Sequence, residues 1–438
     1  MSTSINISPT TITAGTYLLE YYAVDRLGNI YDTKQLRIFK QLDFATLSVT
    51  LYYGINNNDR ILTTKKYPNN YPSSNPPSLP FPKQTSVATR FEDIKNMGLN
   101  VIRINMYWEG YRWYKSQGQA STFLNRLQEV ANTADALGLG ILYNVMHQWA
   151  ISSVLYSSSS RTNRGTGFPE EALEPLGLVR LPDSYITDQP IDGSSDVEMK
   201  PSNIFWKNFI TNYNITIDGE GTKPIWQHIW EDYFRDVVMA TKDHRSTIGY
   251  ELMNEPFIGT NNVRAVHFDG MRSYYSYIAQ KIRELTSTKK IFFAELLTYD
   301  FSGVGGKGGG SARTIPKDTS GNIINNIVFT INRYGREGFT SSTISTFNEI
   351  QPVMYSYNIP IVITEWNNQS QSNIEITLNG MINYLQEMKN RGYGWFFFNY
   401  DPNFPWSIKD SNYNDRWNSS RTITFKQMLV DAKKQVYG

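Results

Sequence analysis

The sequence predicts a (β/α)8 barrel, an α/β fold in which a closed parallel sheet is wrapped by helices. Three observations predict it. Eight short apolar runs recur between residues 51 and 399. Amphipathic stretches with apolar residues three or four apart lie between most of them. Polar and acidic residues gather where the apolar runs stop, which is where a barrel places its working face. The chain's 438 residues suit one large barrel with insertions and a small appendage.

The appendage comes first. Residues 15–39 alternate apolar and polar positions through Tyr17, Leu19, Tyr21 and Ala23, turn at Gly28-Asn29, and continue as IYDTKQLRIF. This pattern predicts a β-hairpin. It resembles the closing strands of an immunoglobulin-like module of secreted proteins. Residues 1–44 are therefore set apart as an N-terminal β segment, and 45–438 as the barrel domain.

The strand candidates are LYYGIN (51–56), VIRINM (101–106), GILYNVM (140–146), IGYELMN (248–254), KIFFAEL (290–296), NIVFTI (326–331), PIVITE (360–365) and GWFFFN (394–399). Helical patterns occupy 85–97, 121–137, 225–242, 265–285, 342–357, 374–390 and 424–436, leaving only the gap between the fifth and sixth strands without one. Alternating strands and helices require a parallel sheet. An open doubly wound sheet is the alternative, but the turn GINNN after the first run is not a Gly-rich phosphate turn. Residues 61–84 carry six prolines and read as loop. Residues 150–224 read as a long irregular insertion and 302–321 as a Gly-rich loop, whose Lys307 lacks the Gly-Lys-Ser/Thr ending of a phosphate loop.

Composition narrows the partners. Lys and Arg number 42 against 40 Asp and Glu, so no basic field favours nucleic acid. The absence of cysteine excludes disulfides, thiol nucleophiles and Cys-zinc sites. The four histidines, at 147, 228, 244 and 267, show no metal-ligand spacing, so neither metal nor other cofactor is expected. No apolar run is long enough to span a membrane. Met1 to Ser8 lack the basic and apolar regions of a signal peptide. That suits an intracellular chain or a piece excised from a secreted one, and a secreted monomer is the expectation.

The strand ends carry Asn56, Arg103, Asn105, His147, Gln148, Asn254, Glu255, Glu295, Asn332, Tyr334, Glu365 and Asn399. Glu255 and Glu365 end apolar runs directly. Packing alone accounts poorly for such positions, because an unpaired buried carboxylate is costly. Two carboxyls on one barrel mouth match the needs of glycoside hydrolysis. One protonates the leaving oxygen, and the other attacks or stabilises the anomeric carbon. The acid needs a raised pKa, and the nucleophile needs a nearby cation such as Arg103 to stay ionised. Asn254 stands where an amide would bond a sugar 2-hydroxyl.

Four motifs then carry a resemblance. GYELMNEPF (249–257), with Asn254-Glu255-Pro256, is similar to the acid/base strand of glycoside hydrolase family 5, the cellulase family. PIVITEW (360–366) resembles its nucleophile strand, GLNVIRINMYWEGY (98–111) its second strand, and NVMHQW (144–149) its third. The motifs run in order from about residue 50 to the C-terminus. The resemblance implies that Arg103 orients the nucleophile Glu365, that Tyr334 donates to it, and that His147 lines the sugar subsite. Two positions depart from the family pattern. Asn332 stands where a histidine is usual, and Phe398 stands where a tryptophan usually floors the site, with Trp406 as a substitute from the loop.

With 29 Tyr, 22 Phe and 10 Trp, aromatic sugar platforms are also expected. Trp108, Trp113, Trp149, Trp366 and Trp406 are the candidates, with rim packing as the alternative role. Trp206, Trp226 and Trp230 read as packing residues. Together these features predict a retaining endo-β-1,4-glucanase acting on β-linked polysaccharide or oligosaccharide. A β-mannanase, an exo-β-glycosidase or a glycolipid glycosidase of the same family are the alternatives. A non-catalytic carbohydrate-binding barrel would be expected to lack one carboxylate, and both are present.

Overall fold

The computed structural model describes residues 15–24, 30–40, 44–45, 47–49, 52–57, 86–146, 155, 167–182, 185, 191, 199–258, 265–298, 312–334, 339–367, 377–401, 407–410, 412–418 and 420–438. Eight parallel strands close into one barrel. In chain order they are Tyr53–Asn57, Val101–Asn105, Gly140–Asn144, Thr247–Glu251, Lys290–Ala294, Ile327–Tyr334, Ile361–Asn367 and Gly394–Phe397. Each pairs with its chain neighbours, and the eighth closes on the first through Trp395 opposite Tyr53. All eight sequence-predicted strands are present, most of them shorter than expected at one or both ends. The N-terminal hairpin is present as Gly15–Val24 antiparallel to Ile30–Lys40.

Alternation builds the barrel interior in layers. Val101, Leu142, Ile248, Phe292, Val328, Val362 and Phe396 point inward and pack with Phe44, Val49 and Tyr52 into an apolar floor. One step along the strands, the inward positions turn polar: Arg103, Asn105, Asn144 and Thr330, all fully buried. The outward residues between them, such as Ile102, Ile104, Tyr143, Phe293 and Ile331, join the larger core beneath the helices. Gly249 is required by crowding, since a Cβ there would lie 1.9 Å from the Lys290 carbonyl oxygen on the next strand.

The surrounding helices are Val87–Asn96, Ala120–Leu137, Ala265–Leu285, Ser341–Ser356, Leu378–Arg391 and Phe425–Tyr437, with a continuous helical stretch over 225–241. Four begin on hydroxyl caps. Ser86, Thr340, Thr377 and Thr424 each accept from the backbone N–H three residues on, supplying a partner to an otherwise orphan donor. Ala120–Leu137 ends at Gly138 in the left-handed region, φ 67°. No helix among the described residues is long and apolar enough to cross a membrane.

Two expectations need correction. Residues 150–224 are not irregular throughout. Pro201–Phe209 is a helix that buries Phe205, Trp206 and Phe209, and Asn214–Ile217 pairs with Gly221–Pro224 as a hairpin. The helix starts on Pro201, whose missing N–H costs nothing at the first position, and its apolar spacing is masked by the polar chain around it. The second correction is the helix Trp108–Ser116, which no predicted helical pattern covered and which carries two of the candidate sugar-platform tryptophans.

Candidate active site

Arg103 is the hub of the barrel mouth. It projects inward from the second strand, fully buried, and all three of its nitrogens donate to side chains. Nε donates to Glu251 Oε2 at 2.6 Å, Nη1 to Glu365 Oε1 at 2.7 Å and Nη2 to Asn254 Oδ1 at 2.7 Å. Glu251 and Glu365 are both buried, so one guanidinium compensates two carboxylates in a region of low dielectric. The negative neighbours outweigh desolvation and hold Arg103 firmly protonated. Burial raises Glu251 despite the opposing charge and hydrogen bond of Arg103.

Glu255 follows the fourth strand at φ 45°, a left-handed conformation that a glutamate adopts at an energetic cost. Its Oε1 accepts from Asn332 Nδ2 at 2.8 Å. Asn332 also donates to Asn254 Oδ1 at 3.2 Å, and its own Oδ1 accepts from Thr364 Oγ1 at 2.8 Å. Tyr334 donates its hydroxyl to Glu365 Oε2. A continuous chain of hydrogen bonds thus runs from Glu365 through Arg103, Asn254 and Asn332 to Glu255.

The two glutamates differ electrostatically. Burial, and then the negative charge of Glu365, push the Glu255 carboxyl up to about 8, against the opposing hydrogen bond of Asn332 and the charge of Arg103. Glu365 instead takes a charged donor on one oxygen and a phenol on the other. The Glu255 carboxyl is thereby poised to give a proton near neutral pH.

Two irregularities in the sheet aim these groups. On the fourth strand, Leu142 faces Gly249 while Ile141 faces Thr247, so residue 248 is an extra one. Without that bulge, Ile248 and Glu251 would face opposite sides. With it, both point into the barrel. On the seventh strand the register skips residue 364, pairing Ile363 with Ile331 and Glu365 with Asn332. Thr364 and Glu365 therefore both serve the site, and Trp366 turns outward.

Of the expected site residues, the structure brings Arg103, Asn254, Glu255, Asn332, Tyr334 and Glu365 together. Phe398 lies beside Tyr334, with ring centroids 6.1 Å apart in an edge-to-face arrangement. His147, Trp149 and Trp406 lie outside the described residues. Trp366 is not a sugar platform. It is fully buried against Tyr384, Trp395 and Phe397 on the outer face of the sheet. Trp108 and Trp113 are likewise buried, Trp108 donating from Nε1 to Asp232 at 2.7 Å. Their helix turns both rings into the core. Trp206, Trp226 and Trp230 pack as expected.

Sequence reasoning missed Glu251, Thr330, Thr364 and Arg333. Thr330 donates to Glu251 Oε1 at 3.2 Å. Arg333 pairs with Glu295 through both oxygens, Nη2 reaching Oε2 at 2.8 Å. The signal for Glu251 was a charged residue inside an apolar strand, but strict alternation from Ile248 directs it outward.

The family Cellulase (glycosyl hydrolase family 5) matches residues 69–404. An endoglycoceramidase of Cyanea nozakii is 27% identical over 228 residues, 48% of this chain and 42% of that protein. An endoglycoceramidase of Hydra vulgaris is 24% identical over 250 residues, 52% of this chain and 45% of that protein. The chain thus matches less than half the length of either curated relative. Among solved structures, the lactosyl-enzyme intermediate of endo-glycoceramidase II from Rhodococcus sp. superimposes with a TM-score of 0.59 at 16% identity, over 89% of this chain and 80% of that one. A broad specificity endoglucanase from an uncultured bacterium gives 0.52 at 12% identity, over 91% and 97%. These structural likenesses concern the fold. The family match covers most of the chain, and the closed barrel is the fold it calls for: the chain belongs to glycosyl hydrolase family 5.

Proposed function

We propose that this chain is a retaining glycosidase that releases an intact glycan from a glycolipid, with Glu255 as acid/base and Glu365 as nucleophile. The observation that carries the catalytic part is the hydrogen-bonded chain between the two carboxyls, with the Glu255 carboxyl raised by burial and by Glu365. Glu255 gives its proton to the glycosidic oxygen as Glu365 Oε attacks the anomeric carbon. The aglycone leaves neutral, and the sugar stays as an ester on Glu365. Glu255, now anionic, takes a proton from an entering water. The resulting hydroxide displaces Glu365, and two inversions give retention. Arg103 and Tyr334 hold and aim Glu365 through one hydrogen bond to each oxygen. Asn254, oriented by donors on its Oδ1, directs its amide N–H2 to the sugar 2-hydroxyl.

The lipid-linked substrate is supported by the two curated relatives, both named endoglycoceramidase. Endo-β-1,4-glucanase activity is the second reading, supported by the cellulase-type motifs. The deciding assay incubates the chain with lactosylceramide in detergent micelles and, separately, with cellopentaose. Release of lactose together with ceramide supports the glycolipid reading. Cleavage of cellopentaose with lactosylceramide untouched replaces it with the glucanase reading. Stepwise loss of terminal galactose indicates exo action. Proton NMR of the first-formed anomer reads retention.

A further inference from the structure

The loop side of the sixth strand touches both carboxyls within three residues. Asn332 holds Glu255 and Tyr334 holds Glu365. Between them sits Arg333, whose side chain must point the other way by strand alternation. It is 7% exposed and grips Glu295, at the end of the fifth strand, through two parallel contacts. Arg333 Nη1 also folds back onto the Asn332 carbonyl oxygen at 2.6 Å. Glu295 is 2% exposed and takes a backbone hydrogen bond from Asn332, while its own N–H donates to the Thr330 carbonyl at 3.1 Å. Glu295 also lines the small cleft beside Glu255, with Glu251, Asn254, Ala294, Thr330 and Asn332.

A buried ion pair is weak as a source of stability, because desolvation offsets most of its attraction. A two-pronged grip is strong as a geometric constraint. We propose that Glu295 and Arg333 form a positioning pair for the reaction, clamping the 332–334 segment so that Asn332 and Tyr334 engage Glu255 and Glu365 at the same time. The proposal rests on the assignment of those two glutamates as the reacting groups. The pair touches no substrate. It acts through the residues on either side of Arg333.

Three variants test it on 2,4-dinitrophenyl β-lactoside and on lactosylceramide: Arg333→Met, Arg333→Lys and Glu295→Gln. Arg333→Met should lower kcat roughly 10- to 100-fold, as expected when reacting groups drift by a fraction of an ångström, with KM changed less than about 2-fold. Arg333→Lys keeps the charge but loses the fork, so it should recover only part of that loss. Glu295→Gln keeps the shape and removes a negative charge near Glu255. The other charged groups around Glu255 are Glu365, Glu251, Arg103 and Arg333, so its basic pH limb should move to lower pH. This isosteric variant decides the matter where Arg333→Met does not fold. Variants that melt earlier yet keep wild-type kcat and pH limbs would reduce the pair to a structural role. Glu365→Ala, assayed in parallel, separates the two claims: wild-type turnover there overturns the assignment of the glutamates themselves.

Discussion

Arg103 meets Glu365 through a 2.7 Å hydrogen bond inside the barrel mouth, and the same guanidinium holds Glu251 at 2.6 Å. A single buried cation therefore balances one carboxylate of the proposed reaction and one that supports it. The consequences of this arrangement can be measured.

Removing the cation strands both carboxylates. Arg103→Ala should destabilise the fold by roughly 3–5 kcal/mol, the range for breaking a buried pair from one side. Urea unfolding at pH 7 measures this, and the loss should shrink at low pH as Glu251, raised by burial, becomes protonated. A variant as stable as wild type at pH 7 would mean the carboxylates find other partners.

Glu255 links activity and stability to pH. Its carboxyl is raised from 4.5 to about 8 by burial and by Glu365. As the proton donor it must be protonated, so turnover of an unactivated substrate should fall as pH rises through about 8. Below the ordinary carboxylate range, folded and unfolded chains are both protonated and Glu255 favours neither. Above it, the unfolded chain releases the proton while the folded chain holds it, so folding loses stability until the folded group also ionises. Glu255→Gln should therefore melt at a higher temperature than wild type, with a gain that grows from pH 4 to pH 8. A gain that is constant across that range would contradict the raised carboxyl.

Tyr334 supplies a phenol donor to Glu365 from a side chain that is 40% exposed. A hydrogen bond to a charged group is worth roughly 1.5–3 kcal/mol, so Tyr334→Phe should cost about 10- to 100-fold in kcat/KM. Its exposure predicts little change in melting temperature. A large thermal loss with unchanged kinetics would assign Tyr334 to packing.

Trp366 follows Glu365 directly but serves the core. Trp366→Ala should destabilise by roughly 3–5 kcal/mol, the cost of emptying a large aromatic site. At temperatures where the variant stays folded, KM should be close to wild type. A selective rise in KM without loss of stability would restore it as a sugar contact.

Local pattern made the fold legible. Apolar runs of strand length, amphipathic stretches of helix length and hydroxyl caps at helix starts are each written in adjacent residues. The strand-end rule brought out Glu255, Glu365, Arg103 and Asn332 for the same reason, since residues around the C-terminal ends of barrel strands lie at the mouth. The helix Pro201–Phe209 was less legible, because its short apolar stripe lies within a long polar insertion.

By itself, then, the amino-acid sequence determined the barrel, the order of its strands and the presence of two carboxyls at its mouth, because these depend on spacing along the chain. The tertiary structure alone decided which way particular side chains turn. The extra residues at 248 and 364 shift the alternation. They bring Glu251 inward to share Arg103 with Glu365, and they send Trp366 out to the helices. A bulge follows from how neighbouring strands match register across many residues of separation, and no local pattern records that match. Burial follows the same logic. Trp108 is indistinguishable in sequence from a rim aromatic until Asp232, 124 residues away, arrives to accept its indole N–H.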